Sequence, residues 1–239
     1  GKLLGPGAEL SVCGVQSARF VNGFSDSLSV WLQGGVKRTV ESAWPSALVI
    51  DHEIVEDAPS RLNQAGFGDA ISALCAPADW YLACHVGMDV GYDPRVVDVV
   101  TKAGAALWAS AEPDKLDIAA LINTLTLGGF CIGIAGTTAP LSGCEHLMSH
   151  LLDMAALARG RDHDLHGAQV GVAAVLSAAL WHTALDRFDP TLVDPEGCII
   201  TPPGLSDTVK TAWHGVDPPG AIVEACAESV ALKNKRGSD

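Results

Sequence analysis

Apolar and polar positions change rhythm once along the chain. Up to about residue 55, short apolar runs predict strands: LSVCGVQ (10–16), SLSVWLQ (27–33) and ALVID (47–51), with turn signals at Asn22-Gly23 and Gly34-Gly35 between them. From Ala58 onward, Ala- and Leu-rich segments with helical periodicity take over, and they predict helices over Ile71–Val86, Arg95–Ser110, Lys115–Ala135, Cys144–Ala158, Gln169–Leu185, Asp207–Trp213 and Ala221–Lys233. Loops rich in Pro and Asp, such as Phe188–Gly197 and Thr201–Gly204, separate the last elements, and no internal repeat is evident. The expected organisation is an α/β region over 1–56 followed by an all-helical region over 57–239.

Ile118 to Cys144 contains no charged residue, which raises the question of a membrane span. It also holds Asn123, four Thr, Pro140 and several Gly, so the expectation is a buried helix running into a turn, in a protein without a membrane span.

Four polar residues stand out against this apolar background. On a helix, His146 and His150 in SGCEHLMSHLLD share one face, because residues four apart stack. His166 precedes a Gly and the long apolar run GAQVGVAAVLSAALW, which places it at the mouth of a buried helix. Asp69 follows Gly66 and Gly68 at what reads as a helix start, where its carboxylate would either cap the helix or bind a metal. Imidazole nitrogen with carboxylate oxygen is the donor set of a catalytic Zn²⁺ or a similar divalent ion, with three protein ligands and one position for substrate. The His pair alone decides little, since a helical His also serves as a cap or sits half exposed. Cys144, two residues before His146, faces away on a helix and is set aside.

Composition narrows the function classes. A formal charge of −13 over 239 residues argues against nucleic acid as a partner, because phosphate binding needs clustered Lys and Arg. With 48% hydrophobic residues and a mean hydropathy of +0.25, the chain can bury a substantial core. Seven scattered Cys without a CxxC read as small buried hydrophobes in a reducing compartment, so a cytoplasmic location is expected. The opening GKLLGPGAEL lacks the apolar core of a secretory leader, and the absence of an initial Met suggests a processed product or a fragment.

The segments AGFGDAISALCAPADW, SGCEHLMSHLLDM and LHGAQVGV occur in this order, with 77 residues from Asp69 to His146 and 20 from His146 to His166. Together they resemble the sn-glycerol-1-phosphate dehydrogenases, of the superfamily of iron-containing alcohol dehydrogenases, glycerol dehydrogenases and dehydroquinate synthases. VNGFSDSLSVWLQGGVKRTV and WHGVDPPGAIVEACAES extend the resemblance from about Ser11 to about Lys235. It implies a dehydroquinate synthase-like fold: an α/β remnant of a nucleotide-binding domain, then a mainly α-helical metal-binding domain. It also implies NAD(P) and Zn²⁺ or another divalent metal as cofactors, a small phosphorylated polyol as substrate, and room for a homo-oligomer. By the same resemblance the metal ligands are Asp69, His146 and His166, and His150 is a substrate-facing catalytic residue. Helix spacing alone would make His150 a ligand as well. Ser17 and Ser25 are implied on the cofactor side and Asn22 on the substrate side.

Two departures from the family pattern matter. The Gly-rich turn GGGxxxD, whose amides approach a dinucleotide pyrophosphate, is absent, and Gly5-Pro6-Gly7 is only a loop signal. In the substrate-facing window 17–23, Arg19 and Phe20 introduce bulk, although a guanidinium at Arg19 would suit a phosphate. The alternatives are a truncated, catalytically incompetent metal-binding homologue and a dehydroquinate-synthase-like enzyme. The latter would need several basic residues around its substrate, in a chain with only 15 Lys and Arg.

Overall fold

The computed structural model describes residues 11–18, 21–33, 36–112, 115–192 and 204–214, Gly220, and positions 223–224, 226–228 and 230–231. Gly5-Pro6-Gly7, Arg19, Phe20, Gly34-Gly35 and most of the loops expected after residue 192 lie outside these residues. So does much of the expected helix Ala221–Lys233, whose described positions have helical backbone.

The first region contains four strands: β1 (Cys13–Gln16), β2 (Leu28–Gln33), β3 (Val36–Glu41) and β4 (Ala47–Ile50). They form two separate ribbons. β1 pairs in parallel with β4, Cys13 opposite Ala47, and β2 pairs antiparallel with β3, Leu28 opposite Glu41 and Gln33 opposite Val36. The strand β3 was not expected, because Lys37 and Arg38 interrupt the apolar pattern of VKRTVE. Pairing with β2 supplies the ladder that its own sequence does not announce.

Helices follow: α1 (His52–Glu56), α2 (Ser60–Ala70), a 3₁₀ turn (Ile71–Leu74), α3 (Ala76–His85), α4 (Pro94–Ser110), α5 (Ile118–Ala135), α6 (Cys144–Ala158), α7 (His166–Arg187) and α8 (Leu205–Ala212). Their starts have local causes. Asp51, Asp93 and Asp117 accept backbone N–H groups at the starts of α1, α4 and α5. At its other end α5 stops on Gly136, which takes the left-handed conformation at φ 68°. The single helix expected over Ile71–Val86 is broken at Cys75. Pro77 has no N–H to give the carbonyl of residue 73, so the chain makes a 3₁₀ turn and starts α3 afresh with Pro77 in its first turn.

α2 corrects a second expectation. Asp69 is the penultimate residue of this helix, not the start of one. Gly66 and Gly68 lie buried inside the helix, and Gly68 serves packing. A Cβ on Gly68 would overlap the Gly167 carbonyl, and one on Gly167 would overlap that of Ala65, so α2 and α7 cross in backbone contact. The contact outweighs the cost of two helical glycines, roughly 1 kcal/mol each.

α5 is long and apolar enough to cross a membrane, and so is α7. α5 carries the core instead: Leu121 and Leu125 pack with Ala70 and Leu107, and Cys131 and Ile132 with Trp80, Val96, Val100 and Leu141. Its glycines receive the neighbouring chain. Gly129 leaves room only for Ser25, and Gly133 only for the Trp44 ring. This packing seats the 22–26 loop over the helical layer and frames a cavity of about 530 Å³ between the loop, the β2–β3 ribbon and the starts of α6 and α7.

Candidate metal centre

Three helix ends meet on the floor of that cavity. Asp69 comes from the last turn of α2, His146 from the first turn of α6 and His166 from the first position of α7. The α2–α7 glycine crossing lies one residue from two of them, since Gly68 precedes Asp69 and Gly167 follows His166. The start of α6 is fixed from outside: Asp79 of α3 accepts the Cys144 N–H at 2.7 Å through Oδ2 and the Trp181 indole N–H of α7 at 2.7 Å through Oδ1. Gly143 leaves room for that carboxylate and little else.

Asp69 is 1% exposed and its Oδ1 accepts no hydrogen bond. That oxygen lies 3.3 Å from His146 Nε2 and 3.6 Å from His166 Nε2. A tetrahedral zinc holding its ligands at roughly 2.0–2.1 Å would set neighbouring donors about 3.3–3.4 Å apart. The three donor atoms all lie within 4.8 Å of one another, so the residues fit a divalent ion with a position left on the cavity side. The other carboxylate oxygen, Oδ2, accepts the Asn22 backbone N–H at 3.1 Å. A buried carboxylate at the C-terminal end of a helix is poorly placed for its own charge, whereas a cation there is favoured.

Hydrogen bonds behind the rings point both Nε2 lone pairs at this oxygen. His146 Nδ1–H donates to Glu145 Oε1 at 2.9 Å. Ser149 donates to Gln169 Oε1 at 2.7 Å, so its oxygen accepts from His166 Nδ1–H at 2.9 Å. Charge separates the histidines. Burial opposes protonation of His146 in the metal-free site, but the neighbouring Asp69 and Glu145 carboxylates overcome it and push the pKa up to about 9. Burial, only partly offset by Asp69, pushes His166 down to about 4.

His150 stands one turn along α6, its ring 6.3 Å from that of His146 and stacked 6.0 Å from that of His166. It lines the cavity outside the three-atom cluster. Burial, helped by the positive charge of Lys37, pushes its pKa down from the ordinary histidine range to about 4 and keeps the ring neutral.

Asn22 also lines the cavity. Ser17 is exposed, between Gln16 and Ala18 on the cavity wall. Ser25 does not fit its expected cofactor role. It is fully buried and its hydroxyl donates to the Asn22 and Thr126 carbonyls at 3.2 Å, bracing the loop on α5.

Several site residues escaped the sequence reading. Lys37 of β3 lines the cavity and pairs with the buried Asp153 of α6. Glu145, Ser149 and Gln169 hold the rings. Helical spacing carried part of that signal, for Ser149 follows His146 by three and Gln169 follows His166 by three. Lys37 had no such signal, because the hairpin brings it in from 116 residues away.

No protein-family profile matches the chain. Curated relatives do. The chain is 30% identical over 250 aligned positions to the glycerol-1-phosphate dehydrogenase, NAD(P)+, of Methanococcoides burtonii, a match covering 98% of this chain and 68% of that protein. It is 31% identical over 184 positions to the Bacillus subtilis enzyme of the same name, covering 73% of this chain and 46% of the relative. The Halalkalibacterium halodurans counterpart is 32% identical over 171 positions, covering 70% and 43%. The chain thus spans about half the length of several curated relatives it matches. Among solved structures, a probable glycerol dehydrogenase from Sinorhizobium meliloti superposes with a TM-score of 0.55 at 14% identity, over 98% of this chain and 73% of that one. Glycerol dehydrogenase from Schizosaccharomyces pombe gives 0.52 at 14% identity, over 98% and 67%. These two likenesses show the fold, which the chain shares with these glycerol dehydrogenase structures. The match to the Methanococcoides protein shows the narrower group, and the chain belongs to the glycerol-1-phosphate dehydrogenase family.

Proposed function

We propose that this chain carries the metal and substrate site of an NAD(P)-linked oxidoreductase that interconverts sn-glycerol 1-phosphate and dihydroxyacetone phosphate. The observation that carries the reading is the buried Asp69 Oδ1, without a hydrogen-bond donor and faced by two imidazole Nε2 atoms. Asp69, His146 and His166 would hold the ion, and zinc suits this donor set. When bound, the ion supplies Lewis acidity to the secondary hydroxyl or ketone oxygen, and the nicotinamide exchanges the hydride.

The chain's own residues position the substrate. Lys37 is the one Lys or Arg among the described residues of the cavity wall, which makes it the contact for the phosphate. Asn22 lies above Asp69 and would meet a substrate hydroxyl. His150, held neutral, would hold the substrate hydroxyl through a hydrogen bond from the cavity wall. Among the described residues the wall carries one basic side chain, where a dehydroquinate-synthase-like reaction would call for several. The six described cysteines are unpaired, which suits a reducing cytoplasm.

Titration of the zinc-loaded chain with dihydroxyacetone phosphate, followed by calorimetry, tests the reading. Binding should require zinc and should disappear in His166→Ala. Binding of equal strength to the metal-free chain would overturn it.

A further inference from the structure

Glu145 is 0% exposed, and its partners are an amide, an imidazole and a thiol. Oε1 accepts the Gly143 N–H at 2.7 Å and His146 Nδ1–H at 2.9 Å, and Oε2 accepts the Cys75 thiol at 3.4 Å. Of these three, only the imidazole can pass positive charge to the carboxylate. A carboxylate taken wholly out of water needs such compensation. On the other side of the same ring, Nε2 faces Asp69 Oδ1. The order along this line is Glu145, His146, the three-donor cluster, Asp69, so two buried carboxylates flank one point and a dication there cancels both.

Resting on the metal reading above, we propose that Glu145 is a positioning residue of the metal centre. Acting through His146, it fixes the tautomer that presents Nε2 and supplies the second negative charge that makes the site select a divalent ion. His166 has a neutral version of the same support, the Ser149 hydroxyl held by Gln169. Outer partners of metal-bound imidazoles orient the ring and raise its basicity, and their loss commonly weakens metal binding by roughly 10–100-fold.

The test is the zinc dissociation constant of the purified full chain, measured by chelator competition, for wild type, Glu145→Gln, Ser149→Ala and His146→Ala. Visible absorption of the Co²⁺-loaded proteins is recorded alongside. Glu145→Gln keeps Oε1 for both N–H donors, removes the charge, and puts an NH2 opposite the Cys75 thiol in place of Oε2. It should bind zinc roughly 10–100-fold more weakly and shift the Co²⁺ bands. Ser149→Ala, removing the neutral support of His166, should weaken binding about 10-fold at the lower end of that range, and if Glu145→Gln does not fold, Glu145→Asp, whose shorter carboxylate draws back from His146 Nδ1, decides the matter by the same loss. If His146→Ala loses zinc while the folded Glu145 variant binds it as wild type does with an unchanged Co²⁺ spectrum, the positioning role is overturned and the metal centre stands. If His146→Ala binds zinc as tightly as wild type, the metal reading falls and the proposal falls with it.

Discussion

The floor and the roof of the cavity are built by different physics. The floor is three helix ends locked by backbone contact: α2 and α7 touch through Gly68 and Gly167, and Asp79 ties α3, α6 and α7 together. The roof is a loop and a two-stranded ribbon seated through side-chain bonds, among them Ser25 on an α5 carbonyl, Asn22 on Asp69, and Lys37 on Asp153. The floor holds its three donor atoms within 4.8 Å of one another. The roof presents Asn22 and Lys37 to the space a ligand would enter. Metal retention therefore belongs to the floor, and ligand selection to the roof.

The largest effect should come from Gly167→Val. Its side chain would meet the Ala65 carbonyl, which is backbone and cannot move aside cheaply, so a loss of roughly 3 kcal/mol or more of stability is expected together with loss of metal. Denaturant melts and elemental analysis would check it, and a stable, metal-replete variant would break the distinction. Next, His166→Ala should bring metal content close to zero, whereas His163→Ala, removing an exposed ring near Asp153, should leave it intact.

Roof changes should leave metal content alone. Replacing Lys37 by Met and Asp153 by Asn together avoids stranding the buried carboxylate. The double variant should keep its zinc and lose roughly 10–150-fold in affinity for dihydroxyacetone phosphate, the worth of about 1.5–3 kcal/mol for a hydrogen bond to a charged group. Unphosphorylated dihydroxyacetone should bind it as it binds the wild type, as calorimetry would reveal. His150→Ala should likewise retain metal. If it purifies without the ion, the residues four apart on α6 chelate together and the floor extends into the roof.

The smallest effect concerns pH in the metal-free chain. His146 is raised to about 9, so its contribution is full below its unfolded value near 6.5 and is lost as pH rises through 9. His150 and His166 are depressed to about 4, so their contribution is present above 6.5 and is lost as pH falls toward 4. Calorimetry in chelator should therefore find Tm falling on both sides of about pH 6.5 from these three groups. His146→Asn should flatten the alkaline limb alone.

The sequence made the helical floor partly legible. Apolar periodicity located α4, α5 and α6 within a few residues, and the four polar exceptions in that background supplied the three cluster residues and His150. It misread the element bearing Asp69. Gly66 and Gly68 look like breakers, and only the close approach of α7, at Gly167, makes Gly68 an asset. The roof was mostly illegible. β3 has a charged pattern that pairing alone turns into a strand, and Lys37 reaches the site through that pairing. Ser25 was misassigned because a serine in a polar loop gives no sign that a helix carbonyl will take its hydroxyl.

The central claim is that Asp69, His146 and His166 form one divalent metal centre. X-ray absorption at the zinc edge of the stoichiometrically loaded chain tests it most directly. The account predicts a first shell of only nitrogen and oxygen at roughly 2.0–2.1 Å, with outer scattering from two imidazoles. A sulfur contribution near about 2.3 Å, which would bring a cysteine into the shell, or a shell without imidazole scattering, would contradict it.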